Sequence, residues 1–574
     1  MGVNGLWEHI KPAARNQALT QLAVEHACAR ESGIAYLRIG VDASIWIHAA
    51  QSIHIAGHAY RGQNPELNTI FSRLARLGRL PVAAIFVFDG PGRPPVKRGK
   101  RVFAREHWLI QTFEKFIKAF GFQSHCAPAE AEAELAEMSA SGLVDAVLTD
   151  DSDTLVFGAK TIIRNPNVKK DKDRVIIYTR EAIQEEVCSG LTRGGYILFA
   201  VLSGGDYDEA GLPGFGPHLA AGLARYGCGE ALLEAAASTA ADISPSFLQW
   251  RTQLRHYVRD DPEGYIGHRN PALASRIPDT FPSRAVLAAY VNPVTSFLMG
   301  TGVPPPCNAS LPDVASLARL CEHYFTWGSG NEILRRFTDH IWPGVALRML
   351  CMTAEPSVSH PASGSGVIAP DTILASRTSK STMVPMFKLR FPSSALHDLT
   401  LNSFLCPPAS VGSMVTQHVG LWIPAEVVSR CCPVIARDYA ASGRKRTRAQ
   451  ATRKRKHGET STVNVGGTHN QPGSREVHAR TGYPIPNGAR GTVSAPIYVS
   501  DSQSDDVSMF PTWVINYWCE ENRKAKVRAA AISAANVVHS GQRVVVGAER
   551  IRRAPEPFPM HLSDNDTGSR DAHA

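Results

Sequence analysis

The feature that most constrains the fold is a series of short, almost wholly apolar runs, each of which contains or precedes an acid. They lie at residues 39–47, 81–90 and 143–149, and the second ends Phe-Val-Phe-Asp-Gly. Runs of this length and composition are typical of parallel strands buried on both faces. A helix is predicted between the first two, at residues 68–78. The pattern predicts an α/β fold whose mostly parallel central sheet, flanked by helices, binds ligands at the carboxyl ends of its strands.

Carboxylates are concentrated between residues 127 and 153. Three glutamates open a predicted helix there and three aspartates follow the third apolar run: Glu130, Glu132, Glu134, Asp150, Asp151 and Asp153. Carboxylates this close raise each other's pKa unless a cation lies between them, and clustered oxygens are the ligands that Mg²⁺ prefers. Acids in a first helical turn also serve as caps, but this many exceed what capping requires. We therefore predict a metal site that acts on phosphate.

Local geometry leaves open which glutamates join the aspartates. On a helix, Glu130 and Glu132 point about 200° apart, so helix geometry alone would pair Glu130 with Glu134. On an extended segment after the third strand, Asp151 and Asp153 project to the same side. The spacing therefore favours a shared site for the two aspartates and does not decide between Glu132 and Glu134.

Two other segments suit a phosphate backbone. Residues 91–105 form a loop rich in Pro and Gly, with six basic residues and no acid, that either contacts phosphate or lies in solvent. Further on, a predicted apolar helix ends before Asp206, and the turn Leu-Pro-Gly-Phe-Gly-Pro follows. Gly214 and Gly216 in that turn allow backbone N–H groups to approach an anion at the start of the next helix.

Size and composition restrict the class of protein. The chain has 574 residues, 44% hydrophobic and 20% charged, which predicts a soluble globular protein of about two to four units. A net charge of +9 favours a polyanionic partner, although an ordinary basic surface is the alternative. Eleven cysteines without a Cys-x-x-Cys pair indicate a reduced intracellular chain. Because the sequence has neither a signal peptide nor an apolar run of membrane-spanning length, we expect no membrane association.

Further elements are predicted from weaker patterns. Short β-branched runs at residues 161–164 and 175–178 predict edge strands of the sheet. Helical stretches are predicted at 247–258 and 314–337, with Trp250, Trp327 and Trp342 as packing residues. None of these elements carries a chemical signal.

The last part of the chain differs in composition. Residues 354–383 predict a linker, residues 384–440 a small β-containing module, and residues 441–574 a disordered tail. The basic run at 437–456 is typical of a nuclear localisation signal or a nucleic-acid-binding arm, so we expect the protein in the nucleus. In the tail, Ile497–Val499 precede acids and serines; they either add as a strand to a partner such as SUMO or form a chance apolar patch.

Several motifs in order resemble those of the flap endonuclease/XPG family of structure-specific 5′ nucleases. The resemblance covers roughly residues 1–235. Its N-terminal motifs read Met-Gly-Val-Asn-Gly-Leu-Trp, Val-Asp-Ala-Ser and Phe-Val-Phe-Asp-Gly. Its internal motifs read Ala-Pro-Ala-Glu-Ala-Glu-Ala, Thr-Asp-Asp-Ser-Asp-Thr-Leu-Val-Phe-Gly, Leu-Ser-Gly-Gly-Asp-Tyr and Leu-Pro-Gly-Phe-Gly-Pro. The resemblance implies a PIN-like nuclease domain.

The resemblance also implies boundaries within this part of the chain. They are an N-terminal nuclease region at 1–125, an internal nuclease region at 126–200, a helix-two-turn-helix DNA-binding region at 201–235 and a helical extension at 236–353. The small module at 384–440 resembles a chromodomain.

Matched position by position, the resemblance implies that two Mg²⁺ ions, or Mn²⁺ in their place, are held by Asp42, Asp89, Glu130, Glu132, Asp151, Asp153 and Asp206. Glu134 and Asp150 are then neighbours rather than ligands. Lys97 is implied to approach the scissile phosphate, and Gly2, once Met1 is removed, to lie at the DNA junction. The other implied DNA contacts are Arg98, Arg101, Arg105, Gly214 and Gly216, with one of the arginines assisting Lys97.

Within the family, the chain most resembles the GEN-like Holliday-junction resolvases and their fungal relatives. Asp89 and Glu130 are 41 positions apart, a shorter spacing than in flap endonucleases with a helical arch. The resemblance implies a two-metal endonuclease that cuts branched double-stranded DNA, at Holliday junctions and 5′ flaps, in repair and recombination. It is expected to be a monomer in solution that dimerises on four-way junctions. The alternatives are a flap endonuclease proper, a non-catalytic DNA-binding scaffold, and an RNA-directed nuclease.

Overall fold

The computed structural model describes most of the first 442 residues. The described ranges are 2–29, 33–52, 64–97, 99–101, 107–165, 172–237, 244–325, 327, 330–353, 369–401, 404 and 417–442. Arg98, Arg105, most of the basic run and Ile497–Val499 lie outside these ranges, so what the sequence predicts for them stays a prediction. Within the described ranges, no helix is long and apolar enough to cross a membrane.

Strands in the described residues form a seven-stranded sheet, a three-stranded sheet and a two-stranded ribbon. In chain order they are β1 (Arg15–Ala18), β2 (Leu37–Asp42), β3 (Val82–Phe88), β4 (Val96–Lys97), β5 (Lys100–Arg101), β6 (Gln123–Cys126), β7 (Ala146–Leu148), β8 (Thr161–Arg164), β9 (Arg174–Thr179), β10 (Thr372–Thr378), β11 (Pro385–Pro392) and β12 (His418–Pro424).

The large sheet has the strand order β1-β9-β8-β7-β2-β3-β6. Strands β8, β7, β2, β3 and β6 run parallel to their neighbours, whereas β9 and β1 are antiparallel. This arrangement confirms the predicted α/β fold with a mostly parallel central sheet. The carboxyl ends of β7, β2 and β3 lie side by side, and the predicted acids follow these strands.

Both faces of the central sheet are buried, as its apolar composition predicts. Along β3, Ala84, Phe86 and Phe88 face one hydrophobic core, and Ala83, Ile85 and Val87 face the other. This alternation follows from the two-residue period of a strand. A strand between two cores must be apolar at every position, which explains its continuous apolar run.

The first apolar run contains only half the strand predicted for it. Strand β2 ends at Asp42, and Ala43–Ser52 form a helix instead of continuing to residue 47. The Asp42 carboxylate accepts hydrogen bonds from the N–H groups of Ser44 (3.0 Å) and Ile45 (3.3 Å), so it caps the new helix. Apolar composition alone cannot distinguish a buried strand from a buried helix. Here the Asp42 cap stabilises the start of a helix at Ala43.

The predicted edge strands are interior strands. Strands β8 and β9 lie between β7 and β1, while the edges of the sheet are β1 and β6. The edge strands read Arg-Asn-Gln-Ala and Gln-Ser-His-Cys, and half or more of their residues are exposed or partly exposed. Polar edge strands lack the apolar signal by which strands are predicted, so the sequence pattern missed them.

Helices cover both faces of the sheet and continue beyond it. In chain order they are α1 (Leu6–His9), α2 (Leu19–Ala27), α3 (Ala43–Ser52), α4 (Pro65–Gly78), α5 (Ile110–Ala119), α6 (Ala131–Ala140), α7 (Asp153–Val156), α8 (Arg180–Glu186), α9 (Arg193–Ser203), α10 (Pro217–Arg225), α11 (Cys228–Ala237), α12 (Ser244–Asp260), α13 (Pro271–Ala274), α14 (Arg284–Val291), α15 (Ser296–Met299), α16 (Val314–Tyr324), α17 (Gly330–His340), α18 (Trp342–Thr353), α19 (Ser394–Leu401) and α20 (Ala425–Cys431). The single helical stretch predicted at 314–337 is therefore two helices, α16 and α17.

The helical extension is anchored to the sheet by a buried arginine. Arg348 on α18 donates hydrogen bonds to the carbonyl oxygens of Ser310 (2.7 Å), Val82 (3.3 Å) and Gly121 (3.5 Å). Its guanidinium also lies over the ring of Phe122. Since a buried cation is costly without such partners, this side chain fixes α18 in one position against β3.

The small module begins earlier than predicted. Its antiparallel sheet has the order β10-β11-β12, and β10 lies inside the range predicted as a linker. The exposed residues of β10 include Ser376 and Thr378, and only Ile373 of the strand is fully buried, so the strand lacks a clear apolar pattern. Inward residues such as Ile373, Leu389 and Leu421 join the hydrophobic core that also contains Trp342. The resemblance of the module to a chromodomain stays a prediction.

Candidate active site

Two of the predicted ligands lie at the carboxyl ends of neighbouring parallel strands. Asp42 ends β2, and Asp89 directly follows β3. Ser44 links them, because its N–H donates to Asp42 Oδ1 (3.0 Å) and its hydroxyl donates to Asp89 Oδ2 (2.9 Å). From the end of β7, the Thr149 hydroxyl donates to Asp42 Oδ2 (3.3 Å). The sheet edge thus holds these carboxylates side by side.

Glu130 and Glu132 come together because Glu130 is not part of the helix. Helix α6 begins at Ala131, and Glu130 precedes it with an extended backbone (φ −93°, ψ 134°). The separation of about 200° within a helix therefore does not apply to this pair. Asp89 supports the turn, since its Oδ1 accepts the N–H of Ala131 (3.0 Å). The pairing of Glu130 with Glu134 that ideal helix geometry favours is wrong.

Glu134 is buried and points to a different part of the molecule. Its carboxylate accepts hydrogen bonds from the Ser296 N–H (2.9 Å) and the Ser296 hydroxyl, and it lies 3.0 Å from His125 Nε2. Burial alone would raise the pKa of Glu134, but the hydrogen bonds from His125 and Ser296 lower it below its ordinary value. Glu134 therefore stays ionised and fastens α15 to α6.

The segment after β7 is a tight turn and not the predicted extension. Helix α7 begins at Asp153, whose N–H donates to Asp151 Oδ1 (3.0 Å). The turn is supported by Thr149, which accepts the N–H of Asp151 (3.1 Å). Asp151 and Asp153 remain close together and buried. Asp150 instead pairs with Arg164 (3.2 Å), away from the other acids.

Lys97 lies among three of the carboxylates. Its Nζ is 2.7 Å from Glu130, 3.1 Å from Glu132 and 3.0 Å from Asp206. Burial alone would lower the pKa of Lys97, but the charges of Glu132, Glu130 and Asp206 raise it above its ordinary value. The ammonium is therefore charged at neutral pH and neutralises part of the acidic cluster.

The seven predicted acids form two overlapping groups around this ammonium. One contains Asp42, Asp89 and Glu132, the other contains Glu130, Asp153 and Asp206, and the charge of Asp151 acts on both. Burial, and then the charge of Asp89, raises the pKa of Asp42 to about 7. Burial is also the main cause that raises the pKa of Glu132, Asp151 and Asp153. The structure thus gathers all seven acids into a site with an excess of negative charge.

The donor set suits a hard divalent cation. Among the described residues, Glu132 Oε2 and both carboxylate oxygens of Asp153 are buried without a hydrogen-bond partner. Such oxygens are costly unless a cation neutralises them, and an all-oxygen set is what Mg²⁺ binds. No three acidic, His or Cys side chains in the described ranges are arranged to hold a metal ion as they stand. Lys97 lies between Glu130, Glu132 and Asp206, so the residues fit a metal once this ammonium moves aside.

Comparison with known families agrees with this geometry. Residues 1–107 match the XPG N-terminal domain, and residues 121–206 match the XPG I-region. Over these residues the chain is similar to the flap endonuclease/XPG family. The predicted resemblance to this family is therefore confirmed, and the two matched regions contain all seven acids and Lys97.

The relatives that match include proteins of the GEN branch. Flap endonuclease GEN homolog 1 of Homo sapiens is 29% identical over 255 residues, which cover 41% of this chain and 26% of the relative. Flap endonuclease GEN-like 1 of Oryza sativa subsp. japonica is 30% identical over 256 residues, 38% of this chain and 37% of the relative. The chain thus spans well under half the length of these relatives.

Solved structures point to the same branch of the XPG family. The Holliday junction-resolving enzyme GEN1 in complex with product DNA and a Mg²⁺ ion matches with a TM-score of 0.58 and 27% identity, over 77% of this chain and 100% of that chain. A eukaryotic junction-resolving enzyme GEN-1 with cesium matches with a TM-score of 0.60 and 27% identity, over the same shares. The predicted resemblance to the GEN branch and the PIN-like nuclease fold are confirmed.

The first residues of the chain pack directly against the acids. Gly2 has a φ of +87°, and a Cβ added there would collide with Ser152 Oγ and Asp151 Oδ1 and lie 2.8 Å from the Asp153 nitrogen. The next residue, Val3, donates its N–H to Ser152 Oγ (2.8 Å). Only glycine fits this position, since both the backbone conformation and the space exclude a side chain.

Replacing Gly2 by Ala is expected to lower the cleavage rate about tenfold and the free energy of unfolding by about 1–2 kcal/mol, since the added methyl group must displace Asp151. The measurements are single-turnover cleavage of branched DNA and denaturant unfolding. The control is Gly142→Ala: Gly142 has a φ of +79°, but no described atom lies within 4 Å of an added Cβ. Equal losses in both variants would show that strain alone, and not contact with Asp151, matters at Gly2.

The basic loop contributes a contact that the sequence did not single out. Arg93 Nη1 lies 3.3 Å from Asp89 Oδ2, so a second cation borders the acidic cluster. Arg101 lies in β5, but its side chain is outside the described part of the structure, as are Arg98 and Arg105. Which arginine assists Lys97 therefore stays a prediction.

The glycine-rich turn opens helix α10. Gly214 has a φ of +91°, which favours glycine, and Gly216 precedes Pro217 at the start of the helix. No described atom lies within 4 Å of a Cβ added to Gly216, whereas one added to Gly214 would lie 2.8 Å from Leu273 Cδ1. Gly216 thus leaves room for another backbone to approach, and DNA binding at this turn stays a prediction.

Sequence reasoning also missed a tyrosine at the site. Tyr207, directly after Asp206, donates its hydroxyl to Glu130 Oε2. Burial, and then the charge of Glu130, raises the pKa of Tyr207, so the phenol keeps its proton. The signal was available, because Tyr207 completes the motif Leu-Ser-Gly-Gly-Asp-Tyr. Tyr207 joins Asp206 to Glu130 and closes one side of the cluster.

Proposed function

We propose that this chain is a Mg²⁺-dependent, structure-specific DNA endonuclease that hydrolyses phosphodiester bonds of branched double-stranded DNA, at Holliday junctions and 5′ flaps, in DNA repair and recombination. The observation that carries the proposal is the gathering of seven carboxylates around Lys97, with Asp153 oxygens that have no partner among the described residues. The GEN1 structures, which contain product DNA with Mg²⁺ or with Mg²⁺ and Mn²⁺, support the choice of metal and substrate.

The two groups of acids would hold two divalent ions. Asp42, Asp89 and Glu132 suit one ion, Glu130, Asp153 and Asp206 suit the other, and Asp151 suits both. When bound, such ions supply a hydroxide at neutral pH and neutralise charge on the scissile phosphate and on the leaving oxygen. Hydrolysis breaks the P–O3′ bond, so that the products carry a 5′ phosphate and a 3′ hydroxyl.

The protein's own cations act on the same charges. Lys97 is a partly buried, protonated ammonium on the short ribbon β4–β5, and it is placed to lie against a phosphate when the acids no longer hold it. Arg93 keeps Asp89 in place through its 3.3 Å contact. Gly2 lets the backbone pack directly against Asp151, since it has no side chain. These residues orient and neutralise the phosphate without forming a covalent bond to it.

A non-catalytic scaffold explains the site less well. Gathering seven acids, five of them buried, costs free energy, and the raised pKa values of Asp42, Glu132 and Asp153 express that cost. A protein that merely binds DNA gains nothing from this cost, whereas a metal-dependent nuclease needs the acids. The comparison of wild type and D42A decides between the two.

The deciding experiment incubates wild type and D42A with labelled 5′ flaps and intact four-way junctions in Mg²⁺, and maps the cuts. We expect wild type to place paired, symmetric nicks in the junction and D42A to place none. Cleavage of flaps without junctions would favour a flap endonuclease proper, and a preference for RNA hairpins would favour an RNA-directed nuclease. If the wild-type protein cuts none of these substrates, the non-catalytic scaffold is the hypothesis that remains.

We also propose that the protein works in the nucleus, supported by the basic run at 437–456 and by the DNA substrate proposed above. Imaging of a tagged chain with and without that run tests the location. Dimerisation on junctions and the SUMO-type contact of Ile497–Val499 stay predictions. Paired nicks within one junction require two active sites and would support the dimer.

A further inference from the structure

Tyr290 lies under the acidic cluster, although it comes from helix α14, outside both regions that match the XPG family. The side chain is buried, with 1% of its surface exposed. Its helix is held against α9 by Arg193, which donates to the Val291 carbonyl oxygen (2.7 Å). Tyr290 is therefore a fixed part of the wall of the site.

The ring of Tyr290 contacts the segment that carries Asp206 and the segment that carries Asp153. It packs edge-on against Tyr207, with ring centroids 4.7 Å apart and an angle of 69° between the rings. On the other side it lies 6.0 Å from Phe157, which directly follows α7. Tyr207 directly follows Asp206, and α7 begins with Asp153. The tyrosine thus fills the space between the Asp206 turn and the Asp153 helix.

The hydroxyl of Tyr290 reaches the backbone next to Asp206. A Cβ added to Gly205 would collide with this hydroxyl oxygen, so the two groups are in close contact. Burial is the main cause that raises the pKa of Tyr290, and the charges of Asp153 and Asp206 raise it further. The backbone N–H groups of Tyr207 and Asp206 act in the opposite direction. In the part of the chain that the structure describes, the hydroxyl completes no regular hydrogen bond. It is a buried hydroxyl that lies against the backbone of Gly205 and the Asp206 turn.

We propose that Tyr290 is a positioning residue, which holds Asp206 and Asp153 at the separation that a divalent ion between them requires. The proposal rests on the proposed nuclease function. Tyr290 acts through its ring, which separates the two segments, and through its hydroxyl, which supports the turn at Gly205. Tyr207 packs on Tyr290 and donates its hydroxyl to Glu130. Tyr290 therefore also helps to fix Glu130.

Tyr290→Phe keeps the ring and removes the hydroxyl, so it tests the polar part of the role. Removing a group that orients metal ligands lowers metal affinity by about 10–100-fold. We therefore expect the full-length variant to bind Mn²⁺ at least about tenfold more weakly than wild type, measured without DNA from the paramagnetic resonance signal of free Mn²⁺. At saturating Mg²⁺ its cleavage rate should recover to within about threefold of wild type, because the chemistry of the cluster is unchanged.

The matched control is Tyr196→Phe. Tyr196 is a buried tyrosine on α9 whose hydroxyl also has no hydrogen-bond partner among the described residues, but the charges that act on it come from Arg180 and Cys188. This variant should bind Mn²⁺ like wild type. Equal weakening in both variants would mean that any buried hydroxyl matters, and would overturn the assignment to Tyr290.

A second variant, Gly205→Ala, approaches the same contact from the other side, since its methyl group displaces the Tyr290 hydroxyl. It should weaken Mn²⁺ binding at least as much as Tyr290→Phe. If the wild-type protein binds Mn²⁺ and cleaves DNA, and either variant binds Mn²⁺ as tightly as wild type, the inference is overturned. The proposed function then stays intact. Wild-type protein that binds no Mn²⁺ and cuts no DNA overturns the proposed function itself.

Discussion

D153N is expected to slow cleavage by about a thousandfold and to raise the melting temperature of the metal-free protein. Asp153 is buried, its pKa is raised by burial and by the charges of Asp151 and Asp206, and its two oxygens have no partner among the described residues. Replacing the charge by an amide of the same size relieves this cost. A gain of about 1 kcal/mol corresponds to about 2–4 °C in a domain of about 150–250 residues.

The loss of activity in D153N follows from the same charge. Without it, one proposed ion loses a ligand, and the loss of several kcal/mol of charge stabilisation slows cleavage by about a thousandfold, since each 1.4 kcal/mol corresponds to about tenfold. Single-turnover cleavage of four-way junctions measures the rate, and thermal unfolding in EDTA measures the stability. A variant that is inactive because it is unfolded would contradict this account.

D145N provides the matched control. Asp145 precedes β7 at the end opposite the site, and its carboxylate pairs with Arg38 on β2 (2.5 Å) and accepts its backbone N–H (2.8 Å). The same substitution there should lower the melting temperature and leave the cleavage rate within about threefold of wild type, because it removes an ion pair and no ligand. The two substitutions should therefore change the melting temperature in opposite directions, and only D153N should lower the cleavage rate substantially.

The sequence predicted the sheet and the acids that follow its strands, because both depend on local patterns. An apolar strand needs no distant information to be recognised, and Asp42 and Asp89 stand directly at strand ends. The choice between Glu132 and Glu134 depended on the backbone conformation of Glu130, which residue spacing does not predict. Glu130 precedes the helix with an extended backbone, so it turns towards Glu132.

Contacts between distant segments could not be predicted from these patterns. Glu134 meets Ser296 across 162 positions, and Tyr290 lies against Gly205 across a turn and several helices. Each depends on how the helical extension packs on the nuclease region, which Arg348 fixes through three carbonyl oxygens. Polar edge strands such as β1 are likewise defined by their pairing with β9 and not by their own residues.

Lys97→Met is expected to separate two roles of the same ammonium. In the metal-free protein, Lys97 neutralises Glu130, Glu132 and Asp206 at 2.7–3.1 Å. Removing one partner of a buried ion pair leaves uncompensated charge and costs about 3 kcal/mol, so the melting temperature in EDTA should fall. Mg²⁺ should restore that temperature, because a divalent ion neutralises the same carboxylates.

Cleavage by Lys97→Met should stay about 100-fold below wild type even at saturating Mg²⁺, since one charge that stabilises the transition state is missing. Lys160→Met is the control: Lys160 donates to the Ala140 carbonyl oxygen (2.8 Å) on the surface, and its loss should change neither measurement. A Lys97→Met protein that regains both stability and the wild-type rate in Mg²⁺ would restrict Lys97 to the role of counter-ion. A variant that is more stable than wild type in EDTA would contradict the neutralising role, because three buried carboxylates cannot gain stability by losing the cation between them.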